Sequence, residues 1–248
     1  MRHSFALIIP ALDEVESIGI LVRRLPRELF AQIIVVDNGS RDATASVAAA
    51  AGADVVREPR RGYGQACLAG IQHLRPQITA VAFMDGDLTD DPDDLARMVQ
   101  CFEQDEWDMV LGSRVLGRLE AGSLTPIQRF GNWLSTRLIA LAWNVDFTDL
   151  GPLRIIRRDS LARLNLRDRT FGWNVEMQAR AAQTGLRICE VPVNYHRRLH
   201  GRSKISGTIT GSLRAGFKIL WTIFRCGLVP LPASSAGHRP QPRMDPFI

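Results

Sequence analysis

The 248-residue chain has no uncharged apolar run near the ~18 residues that a membrane-spanning helix needs. Its four cysteines form no C-x-x-C pair and no cysteine–histidine cluster, which argues against structural zinc. Scattered thiols, behind an N-terminus whose short apolar run leads to Asp13 and Glu14 and not to a cleavage site, read as reduced and mostly buried in a cytosolic protein. Neither G-x-G-x-x-G after the first strand nor G-x-x-x-x-G-K-[ST] occurs, so a dinucleotide Rossmann site is disfavoured and a P-loop is absent. Acid is missing from one long stretch: between Val191 and Met244 there is no Asp or Glu, against nine Arg or Lys. The net charge of +5 therefore divides into +9 for that segment and −4 (+5 − 9) for the rest. A basic segment on an acidic body points to an anionic partner, namely nucleic acid, phosphate or a membrane surface. The basic residues are not interleaved with a stacking aromatic platform, which argues against nucleic acid.

What the chain does contain is alternation. Residues 4–10, 32–37, 53–57, 80–85 and 109–112 read as strands, several of them continuous apolar runs suited to burial on both faces. Between them, residues 14–25, 42–51, 64–74 and 92–103 read as helices; in the first, Ile18, Leu21, Val22 and Leu25 share one face. Repeated βα units imply a parallel sheet covered by helices. After Leu116 the pattern changes: 126–143 predicts a long apolar helix, 153–156 a strand, 158–164 and 174–183 helices, 188–195 a last strand and 206–224 a final helix. With 46% hydrophobic and 23% charged residues, the chain reads as one α/β domain over residues 1–230. Residues 231–248, with four prolines among Ser, Gly and Arg, read as a disordered tail.

In an open parallel sheet, ligands bind outside the carboxyl ends of the strands. Polar residues stand at three such ends: Asp13 and Glu14 after Pro10-Ala11-Leu12, Asp37-Asn38-Gly39-Ser40 with Asp42 and Thr44, and Asp85-Gly86-Asp87. Together they define a carboxylate-rich nucleotide crevice. Two carboxylates one residue apart can reach one divalent cation where the backbone turns, and Gly86 admits a close ligand. Hard oxygen donors suit Mg²⁺ or Mn²⁺ bridging to a diphosphate. Asp90, Asp91, Asp93 and Asp94 read as charges at a helix N-terminus. Arg60-Arg61-Gly62-Tyr63-Gly64 is a basic loop able to approach a nucleotide. On the final helix, Arg214, Lys218 and Arg225 form a basic stripe beside Leu213, Phe217, Leu220, Trp221 and Phe224, a pattern fit for an anionic membrane interface.

IIPALDEVESI, IVVDNGSRDAT, RRGYGQA, MDGDLTDDP, LGSR, DLGPLRIIRR and HRRLHGRSK follow one another in the order found in glycosyltransferase family 2. Over about residues 5–225 the chain resembles that family, and within it the dolichyl- or polyprenyl-phosphate sugar synthases. The resemblance implies a GT-A fold: a nucleotide-binding α/β sandwich whose mostly parallel sheet is flanked by helices, here with a C-terminal amphipathic helix. It further implies an inverting, metal-dependent transferase that moves a sugar from a UDP- or GDP-linked donor to polyprenyl or dolichyl phosphate. Such an enzyme would use Mg²⁺ or Mn²⁺ and work peripherally on the cytoplasmic face of a membrane.

By the same resemblance, Pro10, Leu12, Glu14, Asp37 and Asn38 would hold the base and ribose. Asp85 and Asp87 would hold metal and diphosphate around Gly86, with Gly62 and Gly64 in the loop nearby. Arg114 and Arg129 would face phosphates; Asp149 and Arg154 belong to the D-L-G-P-L-R motif, and Arg198 and Lys204 to a basic loop over the site. Thr89 stands where relatives often carry a metal-ligating Gln. Glu176 reads as a structural or sugar-binding carboxylate, or as a base, and Trp173 as a sugar platform or a core residue. A phosphate acceptor, with a second pKa near 6, arrives ionised and needs no strong base. A saccharide or other hydroxyl acceptor would need one, and Asp149 or Glu176 would then become essential. A non-catalytic nucleotide-sugar binding protein is the remaining alternative; the intact acidic pair with Arg114, Arg198 and Lys204 argues against it.

Overall fold

The computed structural model describes residues 3–104, 106–198 and 209–229, with side chains in the last segment described from residue 216. The strands are β1 (Phe5–Ala11), β2 (Phe30–Asp37), β3 (Asp54–Arg57), β4 (Ala80–Phe83), β5 (Met109–Ser113), β6 (Arg154–Arg157) and β7 (Ile188–Pro192). They form one sheet in the order β3-β2-β1-β4-β6-β5-β7. The helices are α1 (Ile18–Arg24), α2 (Thr44–Ala50), α3 (Tyr63–Gln72), α4 (Asp94–Gln104), α5 (Pro126–Trp143), α6 (Arg158–Arg163), α7 (Trp173–Gln183) and α8 (Ile209–Leu228).

Strand alternation assigns the two faces. Leu7 and Ile9 of β1 meet Ile18, Leu21 and Val22 of α1 and Leu95, Met98 and Phe102 of α4 on one side. Ala6 and Ile8 meet Ala66 and Cys67 of α3 and the inner faces of α5–α8 on the other. Trp173 lies wholly inside this second core, edge-on to Phe83 at 6.3 Å between ring centroids, so it packs and offers no platform to a sugar. All four cysteines are buried thiols outside any disulfide. The helix expected over 126–143 has those limits because its ends are chemically marked. Thr125 and Gln128 form a reciprocal capping box around Pro126, and Asn144 closes the helix in the left-handed region at φ 54°.

The sheet is mostly parallel, as expected, with one exception: β6 runs antiparallel to both neighbours, β4 and β5. Its first residue, Arg154, pairs with Phe83 and Leu111, near the carboxyl ends of those strands. The chain leaves β5 at that end, runs through α5 without crossing the sheet, and re-enters where it left, so direction reverses. A four-residue run, Arg-Ile-Ile-Arg, carries no signal of direction. The expected tail over 231–248 lies outside the described residues, as do His200 and Lys204.

Candidate active site

β1, β2 and β4 run parallel, so their carboxyl ends open on one edge of the sheet. Beyond β1 the chain turns at Asp13, in the left-handed region at φ 51°. The Asp13 N–H donates to Ser40 Oγ (2.9 Å), the Glu14 N–H to Thr44 Oγ1 (2.8 Å), and the Arg41 N–H to Asp13 Oδ1 (2.7 Å). The segment after β2 is therefore the clamp that shapes the end of β1. Pro10 and Leu12 are half-buried along this edge. Asp37 closes β2, buried, its Oδ1 accepting the Ser40 N–H at 3.0 Å.

Asn38 has a positioning role. Its amide donates to the carbonyls of Glu58 (3.0 Å) and Arg60 (2.8 Å), and its Oδ1 accepts the Gly62 N–H (2.8 Å), so the side chain holds the 58–62 loop in place. The glycines of that loop admit the chain's own backbone. A Cβ on Gly62, where φ is 145°, would stand 2.1 Å from the Arg169 carbonyl oxygen, and one on Gly64 2.1 Å from that of Asp168. Gly86 is tight against β1, with the Pro10 carbonyl oxygen 3.3 Å from where its Cβ would stand, while its own carbonyl accepts the Ser17 hydroxyl at 2.9 Å.

The acidic turn after β4 holds the sharpest chemistry. Asp87 is buried; its Oδ1 accepts the Thr89 N–H (3.0 Å) and hydroxyl (2.6 Å), and its Oδ2 accepts from Arg198. Thr89 thus orients Asp87. Asp85 is half-buried and its Oδ1, shielded from water, has no hydrogen-bond partner among the described residues. Burial, then the adjacent Asp87 charge, push the Asp85 carboxyl above its usual range. Between them and Thr89, Leu88 takes φ 62°, an uncommon conformation for a side chain of its size.

Asp90 corrects a reading made from the sequence. It is not one of the charges at the N-terminus of α4, which begins at Asp94: it is 1% exposed, and neither carboxyl oxygen has a hydrogen-bond partner among the described residues. Burial and the charges of Asp85 and Asp87 push its carboxyl well up. The run of six acidic residues from 85 to 94 hid which of them turn inward.

The arginines sort into distinct roles. Arg198 bridges two strand ends, donating to Glu14 Oε1 (3.0 Å) and to Asp87 Oδ2. Arg114 makes a forked pair with Asp149, Nε–Oδ2 2.7 Å and Nη2–Oδ1 2.8 Å, and lies 4.9 Å above the centre of the Tyr195 ring. Arg154 is fully buried and donates to the carbonyls of Pro152 (3.3 Å), Asn174 (3.1 Å) and Gly151, holding the D-L-G-P-L-R turn. Burial lowers its pKa to about 10, outweighing the opposing pull of the nearby Asp149 and Asp85 charges. Arg129 stands exposed on α5, one turn before Asn132, whose Oδ1 accepts the Leu150 N–H at 2.9 Å.

Glu176 is wholly buried and already occupied. It accepts the N–H groups of Arg167 (2.9 Å) and Asp168 (2.6 Å) and the guanidinium of Arg225 (2.9 Å). Lys218 pairs with buried Asp168 at 2.8 Å. Two cations of the α8 stripe therefore face inward onto the protein's own carboxylates, and do not form an outward basic stripe. The Arg214 side chain is outside the described residues. Sequence reasoning also passed over Tyr195 and Ser17; a lone Tyr and a lone Ser carry no motif, and only the tertiary packing shows what they support.

Among the described residues, no three His, Cys, Asp or Glu side chains converge to hold a metal unaided. Asp85 and Asp87 nevertheless fit a hard divalent cation, since one buried carboxylate oxygen is unpartnered and the other carboxylate is oriented. An ion held by one or two carboxylates, with substrate phosphates and water completing the shell, is the usual arrangement for Mg²⁺.

The sequence profile described as glycosyl transferase family 2 matches residues 6–164. An uncharacterized glycosyltransferase of Mycobacterium tuberculosis is 37% identical over 210 residues, covering 84% of this chain and 93% of its own. The undecaprenyl-phosphate mannosyltransferase of Micrococcus luteus is 30% identical over 219 residues, covering 82% of this chain and 88% of its own. The crystal structure of M. tuberculosis glucosyl-3-phosphoglycerate synthase, with Mn²⁺, uridine diphosphate and glucosyl-3-phosphoglycerate, superposes with a TM-score of 0.72 at 19% identity. That match covers 92% of this chain and 81% of the other, and shows that the fold is shared.

Proposed function

Because the chain belongs to glycosyl transferase family 2 and is a glycosyltransferase, we propose that it moves a sugar, with inversion, from a UDP- or GDP-linked donor to a polyprenyl phosphate at a membrane surface. The relative named for undecaprenyl phosphate supports the acceptor, and the structural neighbour bound to uridine diphosphate and Mn²⁺ supports the donor and the metal. Mg²⁺ or Mn²⁺ on Asp85 and Asp87 would act as a Lewis acid that neutralises the leaving diphosphate. Glu14 and Asp37, with Pro10 and Leu12, line the edge where base and ribose would lie. Arg198, anchored between Glu14 and Asp87, would turn its charge to the phosphates. Arg129 would meet the acceptor phosphate from α5, with Lys204 as a further cation.

One observation carries the choice of acceptor. The carboxylates that a hydroxyl acceptor would require as base, Asp149 and Glu176, are buried and filled by arginines and backbone N–H groups. Neither is disposed to take a proton from a substrate. A phosphate nucleophile needs cations around it instead, and arginine suits it best.

The reading predicts a ranking. Arg129→Ala and Arg198→Ala should each lower kcat/KM by an amount worth about 1.5–3 kcal/mol, the scale of a charge-assisted hydrogen bond. Glu176→Gln, compared per folded molecule, should stay near wild type. Steady-state kinetics with prenyl phosphate at saturating metal measure this. A folded but inactive Glu176→Gln enzyme, beside arginine variants of normal activity, would move the assignment to a hydroxyl acceptor.

A further inference from the structure

β7 carries one acid at its middle position, Glu190. Its neighbours Cys189 and Val191 point into the first core, so Glu190 turns to the other face of the sheet. There it is half-buried, and three donors converge on it. The Thr148 N–H lies 3.0 Å from each carboxylate oxygen, the Thr148 hydroxyl 2.9 Å from Oε2, and the Asp149 N–H 3.4 Å from Oε1. With its proton given to Glu190, the Thr148 hydroxyl accepts that of Ser113, 2.7 Å away at the end of β5.

This grip matters because of what the loop holds. Asp149 carries the forked pair with Arg114, and the charge of Arg114 acts in turn on Asp85 and Asp90 in the acidic turn. Asn132 of α5 and Gln178 of α7 donate to the Thr148 and Asp149 carbonyls, whereas Glu190 accepts from the N–H groups of the same residues.

We propose, on the reading that Arg114 faces the donor phosphates, that Glu190 is a positioning residue for sugar transfer: as a carboxylate it fixes the 148–149 backbone, and through Asp149 it sets the Arg114 guanidinium toward the diphosphate. Only the ionised carboxylate accepts freely at both oxygens; a proton on either would compete with a donor already there. Burial, joined by the Asp149 charge and only partly offset by the three donors, pushes the Glu190 carboxyl up to about 7. The grip is therefore made and released near neutral pH. Few other charges surround it. Asp149 is taken up by Arg114, β5 brings Val110, Leu111 and Gly112 alongside β7, and α5 and α7 reach the loop through the neutral Asn132 and Gln178. Arg129 and Arg137 of α5 are exposed.

The experiment follows kcat/KM of the full chain with prenyl phosphate from about pH 6 to 8, at saturating Mn²⁺, which keeps Asp85 and Asp87 ionised. Alongside it, the Nε–H resonance of Arg114 is followed in proton–nitrogen spectra, assigned by its loss in Arg114→Lys. Wild-type activity should fall about tenfold from pH 8 to pH 6, as one ionisation near 7 implies, beyond the roughly twofold due to the acceptor phosphate with its second pKa near 6. The resonance should move over the same range. Glu190→Gln keeps the shape but sets an amide NH₂ against the donors. It should be about tenfold less active at pH 8, retain only the acceptor's roughly twofold change, and hold the resonance fixed. Thr148→Val removes one donor from the carboxylate, so both transitions should move to higher pH.

A purely structural role would make activity follow stability, and here the two part. The contribution of a raised carboxyl to stability is present below its ordinary value of 4.5 and is lost as pH rises through 7, where activity increases. A Glu190→Gln enzyme with the wild-type rate and pH profile would overturn the proposal. Should that variant not fold, an unshifted profile in Thr148→Val would overturn it equally. An Arg114 resonance that titrates in the wild type but not in Glu190→Gln, without transfer to prenyl phosphate, keeps the positioning role and removes the acceptor reading. Transfer with an Arg114 resonance indifferent to pH does the reverse.

Discussion

Asp87→Asn should reduce turnover by about 10³-fold or more, because the leaving diphosphate loses several kcal/mol of metal-borne charge stabilisation. The substitution keeps the shape of the side chain and the contact with Thr89, so folding should survive. Chelation of the wild type with EDTA should produce the same loss, reversed by Mg²⁺ or Mn²⁺. Asp87 also receives Arg198, and that second role must be separated from the first. Arg198→Ala removes the bridge but should retain metal binding, whereas Asp87→Asn should lose it; calorimetric titration with Mn²⁺ reads the difference. Full activity in EDTA would contradict the metal assignment at Asp85 and Asp87.

The Arg114–Asp149 pair should dominate stability in the same region. The side chains are 11% and 1% exposed, and the pair is forked, with Asp149 also accepting the N–H groups of Arg114 and Leu150. Removing one partner leaves an uncompensated charge in a desolvated place, which typically costs about 3–5 kcal/mol. Arg114→Met and Asp149→Leu should each lower the urea midpoint strongly, and the double variant should recover much of the loss, since an apolar pair of similar volume is often neutral. Burial works against the Arg114 charge, but the adjoining carboxylate outweighs it, so the guanidinium remains firmly protonated. If Asp149→Asn unfolds like wild type yet is inactive, Asp149 is a catalytic base and not a structural partner.

How legible all this was depends on how local the determinant is. The limits of α5 could be read to the residue because Thr125, Pro126, Gln128 and Asn144 are each a chemical mark adjacent to the helix. β1 and β2 were legible as buried strands because their apolar runs are continuous. The direction of β6 was not, since antiparallel entry depends on where α5 leaves the chain and not on Arg-Ile-Ile-Arg itself. The acidic pair after β4 was visible as a motif. Which neighbouring acid joins it in the interior was hidden, because Asp90 differs from Asp91 and Asp93 only in burial. Gly62 and Gly64 showed that something approaches closely, but not that the visitor is the 168–169 backbone. The α8 helix gives the same lesson: its cations and aromatics are both plain in the sequence, but which of them faces outward is settled by Asp168 and Glu176, some fifty residues away in the chain.

The central claim is the transfer of a sugar from a nucleotide to a lipid phosphate. The most direct measurement incubates purified protein and Mg²⁺ or Mn²⁺ with a panel of labelled UDP- and GDP-sugars and a polyprenyl phosphate, and follows the label into the organic phase. The account predicts organic-extractable label from at least one donor, dependent on metal, absent without the prenyl phosphate and lost in Asp87→Asn. Label that stays in the aqueous phase with every donor, while a soluble saccharide or other hydroxyl compound is glycosylated in its place, would contradict it.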